Sequence, residues 1–226
     1  MGIFDKLSRR TPPNEPEPEP AQSAPTAPTA PEPGEPSALE ELRDQVVLWV
    51  LPGFNTRDEV LEHAREFRDD DEMPVTDQQL ERLVDDVWQT RLAEQQTWTD
   101  PTDADRVAAA FAELDAAGVI ARMNFTCCQT CGVAEIDDER PADRPSTGYV
   151  FFHQQDAERL ADTPAHLFLA YGPIDPTPQD FDNQAVEIGR RIESTLRAHN
   201  LPVTWTGSTS QRISVGPLTW HRRLPA

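Results

Sequence analysis

Apolar residues recur at helical spacing from Ser37 onward, and the pattern repeats four times before residue 118. Ser37 stands three positions before Glu40, a capping box, and Leu39, Leu42, Val46, Trp49 and Val50 follow on one face. Pro52-Gly53 closes that helix. Thr56 with Glu59 opens a second, with Val60, Ala64 and Phe67 inward. Thr76 with Gln79 opens a third that buries Leu80, Leu83, Val84, Val87 and Trp88. A fourth starts near Thr102, carries Val107, Ala110, Phe111 and Leu114, and stops with Gly118 just past its end. The run Asp69-Asp70-Asp71-Glu72 opposes the dipole at a helix C-terminus, which predicts a loop there. It lacks the alternating spacing and glycine of a calcium loop, so a solvated turn is expected. Four amphipathic stripes require a shared core, with one another or on a sheet.

At Val119 the period shortens to that of strands. Val119–Phe125 leads into a cysteine-rich loop and Val133–Ile136 leaves it, which predicts a hairpin. Tyr149–Phe152 reads as a buried strand, Gln155–Ala161 as a short helix and Leu167–Tyr171 as another strand. A long helix over 179–199 carries Ala185, Ile188, Ile192 and Leu196 inward, and Asn200 with Pro202 stops it. Val203/Trp205, Ile213/Val215 and Leu218/Trp220 alternate as the last strands. The fold class is therefore α+β: a helical part packed with a mixed sheet of five or six strands that carries two helices. The expected division is a leader over 1–36, a four-helix part over 37–118 and an α+β part over 119–226, with 37–226 forming one domain.

Composition adds the leader. Residues 12–36 are rich in Pro, Glu and Ala and nearly free of large apolar side chains, so this tail is expected to be extended and disordered. Ile3-Phe4-Asp5-Lys6-Leu7 forms a short apolar tag at its start, and a protein partner reached through this tail is one expectation. The chain has 226 residues, 40 acidic and 20 basic, for a net charge of −20. Such a surface repels phosphate backbones and speaks against general nucleic-acid binding. Lys6 is the only lysine, which removes a Schiff-base lysine in the core and a phosphate-binding G-x-x-x-x-G-K loop. No apolar run has the length of a transmembrane segment, and no signal sequence is read at the start. With an odd number of cysteines, these features predict a reducing, cytoplasmic setting.

The candidate chemistry is concentrated. Cys127, Cys128 and Cys131 are the chain's only cysteines, and they fall within five consecutive positions. Cys128-x-x-Cys131-Gly132 has the form of a zinc knuckle, with the glycine expected to permit a φ > 0 turn. One knuckle supplies two ligands, so Cys127 and a histidine would have to complete a four-ligand zinc site. His153, at the end of the next strand, is the best placed by sequence order. The same pair could instead cycle between dithiol and disulfide, although redox pairs of this spacing sit at the start of a helix rather than between strand-like segments. The plainest alternative is that small, soft side chains fill a tight hairpin.

Phe151-Phe152-His153-Gln154-Gln155-Asp156 places four polar side chains where a strand yields to a helix, a frequent location for sites in sheet-containing folds. Helix capping is its ordinary explanation. Trp88, Trp98, Trp205 and Trp220 read as packing residues. The candidate site is accordingly Cys127, Cys128, Cys131, His153, Gln154, Gln155 and Asp156, with no catalytic residue identified.

The runs Asn124–Gly132 and Gly148–Asp156, with Glu94–Trp98, Ala170-Tyr171-Gly172 and Leu218-Thr219-Trp220, resemble an actinobacterial family known only as a domain of unknown function. The resemblance covers residues 38–224. It implies a bacterial cytosolic protein and supplies no activity. The leading reading is a binding or regulatory module with a Cys-cluster/His site. Its rivals are a thiol- or zinc-dependent enzyme using Cys128 and His153, and an acidic protein recruited through the leader. The sequence does not decide whether the protein is an enzyme.

Overall fold

The computed structural model describes residues 37–225, so the expectations for the leader and its apolar tag lie outside the described residues. Helices α1 (Ala38–Val50), α2 (Arg57–Asp70), α3 (Asp77–Gln95) and α4 (Asp103–Ala116) each begin with a complete capping box, on Ser37, Thr56, Thr76 and Thr102. Each box satisfies two backbone donors that a helix start leaves orphaned, which is why these starts are legible to the residue. Gly118 takes a left-handed φ of 87° after α4, as the pattern requires. The acidic run behaves differently. Asp69 and Asp70 belong to the last turn of α2, because Arg68 pairs with both Asp69 and Asp77 and offsets the repulsion.

The four helical stripes do not share one core. Leu42, Val46 and Val50 of α1 pack with Val60 and Ala64 of α2 and Leu80, Val84 and Val87 of α3. The stripe of α4, including Val107, Phe111 and Leu114, instead joins the core beneath the sheet.

The sheet contains β1 (Val119–Arg122), β2 (Gly148–Phe151), β3 (Ala165–Pro173), β4 (Val203–Thr204) and β5 (Ile213–Leu218), in the order β1-β2-β3-β5-β4. Only β1 and β2 run parallel, with Val119 opposite Gly148 and Arg122 opposite Phe151. The remaining pairs are antiparallel. This mixed α+β architecture agrees with the expected fold class.

Parallel neighbours cannot be a hairpin, and the hairpin expected at the cysteines is absent. Between β1 and β2 the chain forms α5 (Gln129–Glu135) and a 3-10 turn (Ile136–Glu139), so Val133–Ile136 is helical. Ile136 is buried while Val133 is 47% exposed, so their two apolar positions do not define a strand face. Beyond β2 lie α6 (Gln154–Glu158), a second 3-10 turn (Arg159–Ala161), and, after β3, α7 (Phe181–Ala198).

One sheet face carries Val119, Val150, Leu167, Leu169, Ile213 and Val215, covered by α4 and by Ile188, Ile192 and Leu196 of α7. The opposite face carries Ile120, Phe151 and Ala170, packed with Ile136 from the crossover connection. The C-terminal residues tie the three-helix core to the sheet. The Trp220 indole donates to Pro52 O (3.0 Å), and buried Arg91 donates from Nη2 to Leu51 O (2.9 Å) and Trp220 O (3.3 Å). Trp98 stacks on His221 with ring centroids 4.5 Å apart, and Trp205 meets Tyr171 edge-on at 5.7 Å.

Candidate functional site

Because β1 and β2 are parallel, their carboxyl ends open on the same edge of the sheet, and each end feeds one of the two unusual sequence runs. The pairing continues irregularly past the strands: Phe125 N–H donates to Phe152 O (2.8 Å) and Gln154 N–H donates to Thr126 O (3.0 Å). The cysteine loop and the His153–Asp156 turn are thus backbone neighbours. Such carboxyl-end crevices are where open α/β sheets place ligands.

The loop between them is strained. Asn124 and Thr126 have φ of 52° and 56°. Asparagine tolerates the left-handed region, whereas a β-branched threonine does so at a cost. Thr126 Oγ1 donates to Cys128 O (3.2 Å), which holds the turn into α5. Cys128 is the N-cap of α5, and Gly132 N–H closes the first turn on Cys128 O at 3.0 Å. Gly132 has no positive φ, contrary to the turn expected there. It is required by close approach: a Cβ on it would lie 2.4 Å from the Phe151 ring. The missing side chain lets α5 settle on the sheet and fixes where the thiols stand.

All three sulfurs lie within 4.8 Å of one another. Cys127 Sγ and Cys131 Sγ are 3.5 Å apart, with Cys127 exposed and the other two half-buried. The Cys131 backbone N–H leads the influences that lower the Cys128 thiol pKa, although Cys128 makes no capping hydrogen bond of ordinary geometry. Cys131 is pushed up to about 12, chiefly by its hydrogen bond with Cys127 and then by Cys128. Without a cation one thiolate disfavours the next, so three thiolates side by side demand a positive ion. This cluster of three cysteines could hold a metal ion.

His153 is not part of that cluster. It is the N-cap of α6, where Nδ1 accepts the Asp156 N–H (3.3 Å) while Nε2 lies 2.9 Å from Asp156 Oδ2. Burial lowers its pKa, and Arg212 and Arg159 add to the effect against the opposing pull of the Asp156 carboxylate. A neutral ring that accepts at Nδ1 must carry its proton on Nε2, which donates to Asp156. Neither nitrogen is left for a metal or a substrate proton.

Asp156, 2% exposed, also takes a two-pronged bond from Arg212, with Nη1 donating to Oδ1 at 3.0 Å and Nη2 to Oδ2. Arg212 Nη2 also reaches Phe168 O, so the network ties α6 to β3 and to the loop before β5. Gln154 and Gln155 are exposed, and Gln154 borders a cavity facing α1 and α2.

The structure therefore brings the three cysteines together, gives His153 and Asp156 to a network of their own, and turns Gln154 toward a third environment. Sequence reasoning missed Arg212, 56 residues from its partner Asp156 with no local signal linking them, and the strained Thr126. A Thr before a Cys pair gives no cue to φ. Among the described residues, no helix is long and apolar enough to cross a membrane.

No curated protein and no solved structure matches the chain. The profile of one family does match, over residues 35–224, which includes the whole sheet and both unusual runs. The chain belongs to that family, described as a domain of unknown function (DUF6891).

Proposed function

We propose that this protein is a thiolate metal-binding module in which Cys127, Cys128 and Cys131 hold one soft ion, zinc first, beside an open fourth position. One observation carries the reading: three sulfurs already gathered within 4.8 Å of one another. At Zn–S bonds of about 2.3 Å, a tetrahedral site separates its sulfurs by about 3.8 Å. The 3.5 Å between Cys127 and Cys131 is close to that spacing, so binding needs only small side-chain rotations. His153 is excluded as fourth ligand by its bonds to Asp156, which leaves that position to water or to a ligand from solvent. A site of this kind suits a binding or regulatory module in a reducing cytoplasm, the setting in which three free thiols persist.

The position of Cys128 supports a second reading, thiol–disulfide exchange. Cys128 follows a strand and starts a helix, the arrangement that redox pairs of this spacing use, and its thiol is lowered while that of Cys131 is raised. Metal analysis and thiol titration of protein purified under reducing conditions separate the two readings. The metal reading expects about one equivalent of zinc, lost in Cys128→Ser and Cys131→Ser and kept in His153→Asn. Three titratable thiols, no metal, and no zinc uptake on addition would overturn it. A disulfide formed on mild oxidation of that metal-free protein would favour exchange.

A further inference from the structure

A cavity lies where α1 and α2 meet the start of α6, apart from the thiols. Trp49 and Phe54 form apolar walls, and Asn124, Gln154, His63, Glu158 and Asn55 supply its polar ones, with the Asn55 amide nitrogen already donating to Trp49 O. One of these polar atoms is buried and unsatisfied, and a second group lacks a protein partner. His63 Nδ1 is buried without a hydrogen-bond partner. Glu158, half-buried, has no ion-pair partner among the described residues, and its carboxylate stays within reach of water. Burial pushes the Glu158 carboxyl up, with His63 opposing, so the two groups sense each other. A buried polar atom is normally partnered, and an unpartnered His63 Nδ1 sharing a cavity with a carboxylate that has no protein partner marks a place for an external group.

The chemistry of the walls selects the donor. Glu158 is an acceptor, His63 Nδ1 accepts in the tautomer that carries its proton on Nε2, and the amides of Asn124 and Gln154 each offer an oxygen as well as an NH2 group. Among the described residues, no lysine or arginine lines the cavity. Arg222, next to the Phe54 wall, is stacked on Phe54 at 4.4 Å, donates to Gly53 O, and borders a separate groove. An anion would face an uncompensated carboxylate. A primary ammonium offers three donors and a positive charge, and its alkyl stem suits the Trp49 and Phe54 walls. The volume, about 50 Å³, limits the enclosed part to a few heavy atoms.

We propose that this cavity binds a short primary alkylamine as its ammonium ion, with Glu158 as the charge partner and His63 Nδ1 as a second acceptor. The site is independent of the metal reading and uses none of the thiols.

The test is calorimetric or NMR titration of the full chain with n-propylamine, against propan-1-ol and propionate at equal ionic strength and neutral pH. Saturable binding of propylammonium with Kd on the order of 1 mM is expected from its few heavy atoms. The alcohol and the carboxylate should bind at least about tenfold more weakly, since each lacks the charge-assisted bond. Glu158→Gln should lose about tenfold in affinity, and His63→Gln should lose less, while both variants keep the zinc content of the parent. Equal binding of propan-1-ol, or unchanged affinity in Glu158→Gln, would overturn the proposal. Should Glu158→Gln fail to fold, the comparison of ammonium with alcohol and the His63→Gln variant decide it alone. 1,4-Diaminobutane tells a free small amine from the end of a longer one: tighter binding than propylamine assigns the longer class, and weaker binding the shorter.

Discussion

His153 shows how burial and hydrogen bonding redirect a residue whose type suggests metal or proton chemistry. Its ring is held neutral because burial lowers its pKa and both nitrogens are occupied by Asp156. The unfolded chain binds a proton at the ordinary histidine value, before the folded ring can. Stability must therefore fall as pH drops from about 7 through the ordinary imidazole range and on to the lower folded value. His153→Asn, which keeps an N-cap acceptor, should flatten that slope in urea titrations of metal-free protein between about pH 7 and pH 5. His221, also lowered by burial, remains in both proteins and cancels from the comparison. An unchanged slope would mean that the folded ring titrates freely. The three cysteines stand together because five positions of chain hold them close whatever the fold, whereas their relation to His153 depends on packing.

At the scale of elements, the decisive contact is that of α5 on β2. Gly132 faces the Phe151 ring, and an added Cβ would stand 2.4 Å from it. Gly132→Ala should destabilise the protein by about 1–3 kcal/mol in urea unfolding. It should also weaken zinc binding, since α5 carries Cys131. The penalty should shrink in a Phe151→Leu background, where the ring is gone; equal penalties in both backgrounds would show that the helix does not rest on Phe151. By contrast, Thr76→Ala removes one exposed cap of α3 and should cost about 1 kcal/mol with no effect on the metal. Helix starts are readable because a capping box is local in sequence. The segment 133–136 misleads because four residues with two apolar positions fit a strand or a helix turn equally well, and only the parallel pairing of β1 and β2 decides between them.

Across the whole molecule, the three-helix core and the sheet core are joined through a few polar anchors at the C-terminus. Arg91 is buried and serves the carbonyls of Leu51 and Trp220 from one nitrogen. Arg91→Met should cost about 3 kcal/mol and lower the thermal midpoint, because two carbonyls lose their charged donor. Arg223→Met, which removes an exposed pair with Asp100, should change stability by less than about 1 kcal/mol. Similar losses in the two variants would mean that Arg91 is not an anchor. The sequence by itself determined helices α1 to α4 and α7, the switch to strands at Val119, the α+β class and the thiol cluster, since each rests on periodicity, capping or spacing within a few residues. Tertiary structure decided that α4 serves the sheet, that the cysteines open a helix rather than a hairpin, that Arg212 and Asp156 claim His153, and that His63 and Glu158 share a cavity. These depend on contacts between residues distant along the chain, and local spacing carries no record of which distant partners the packed chain will bring together.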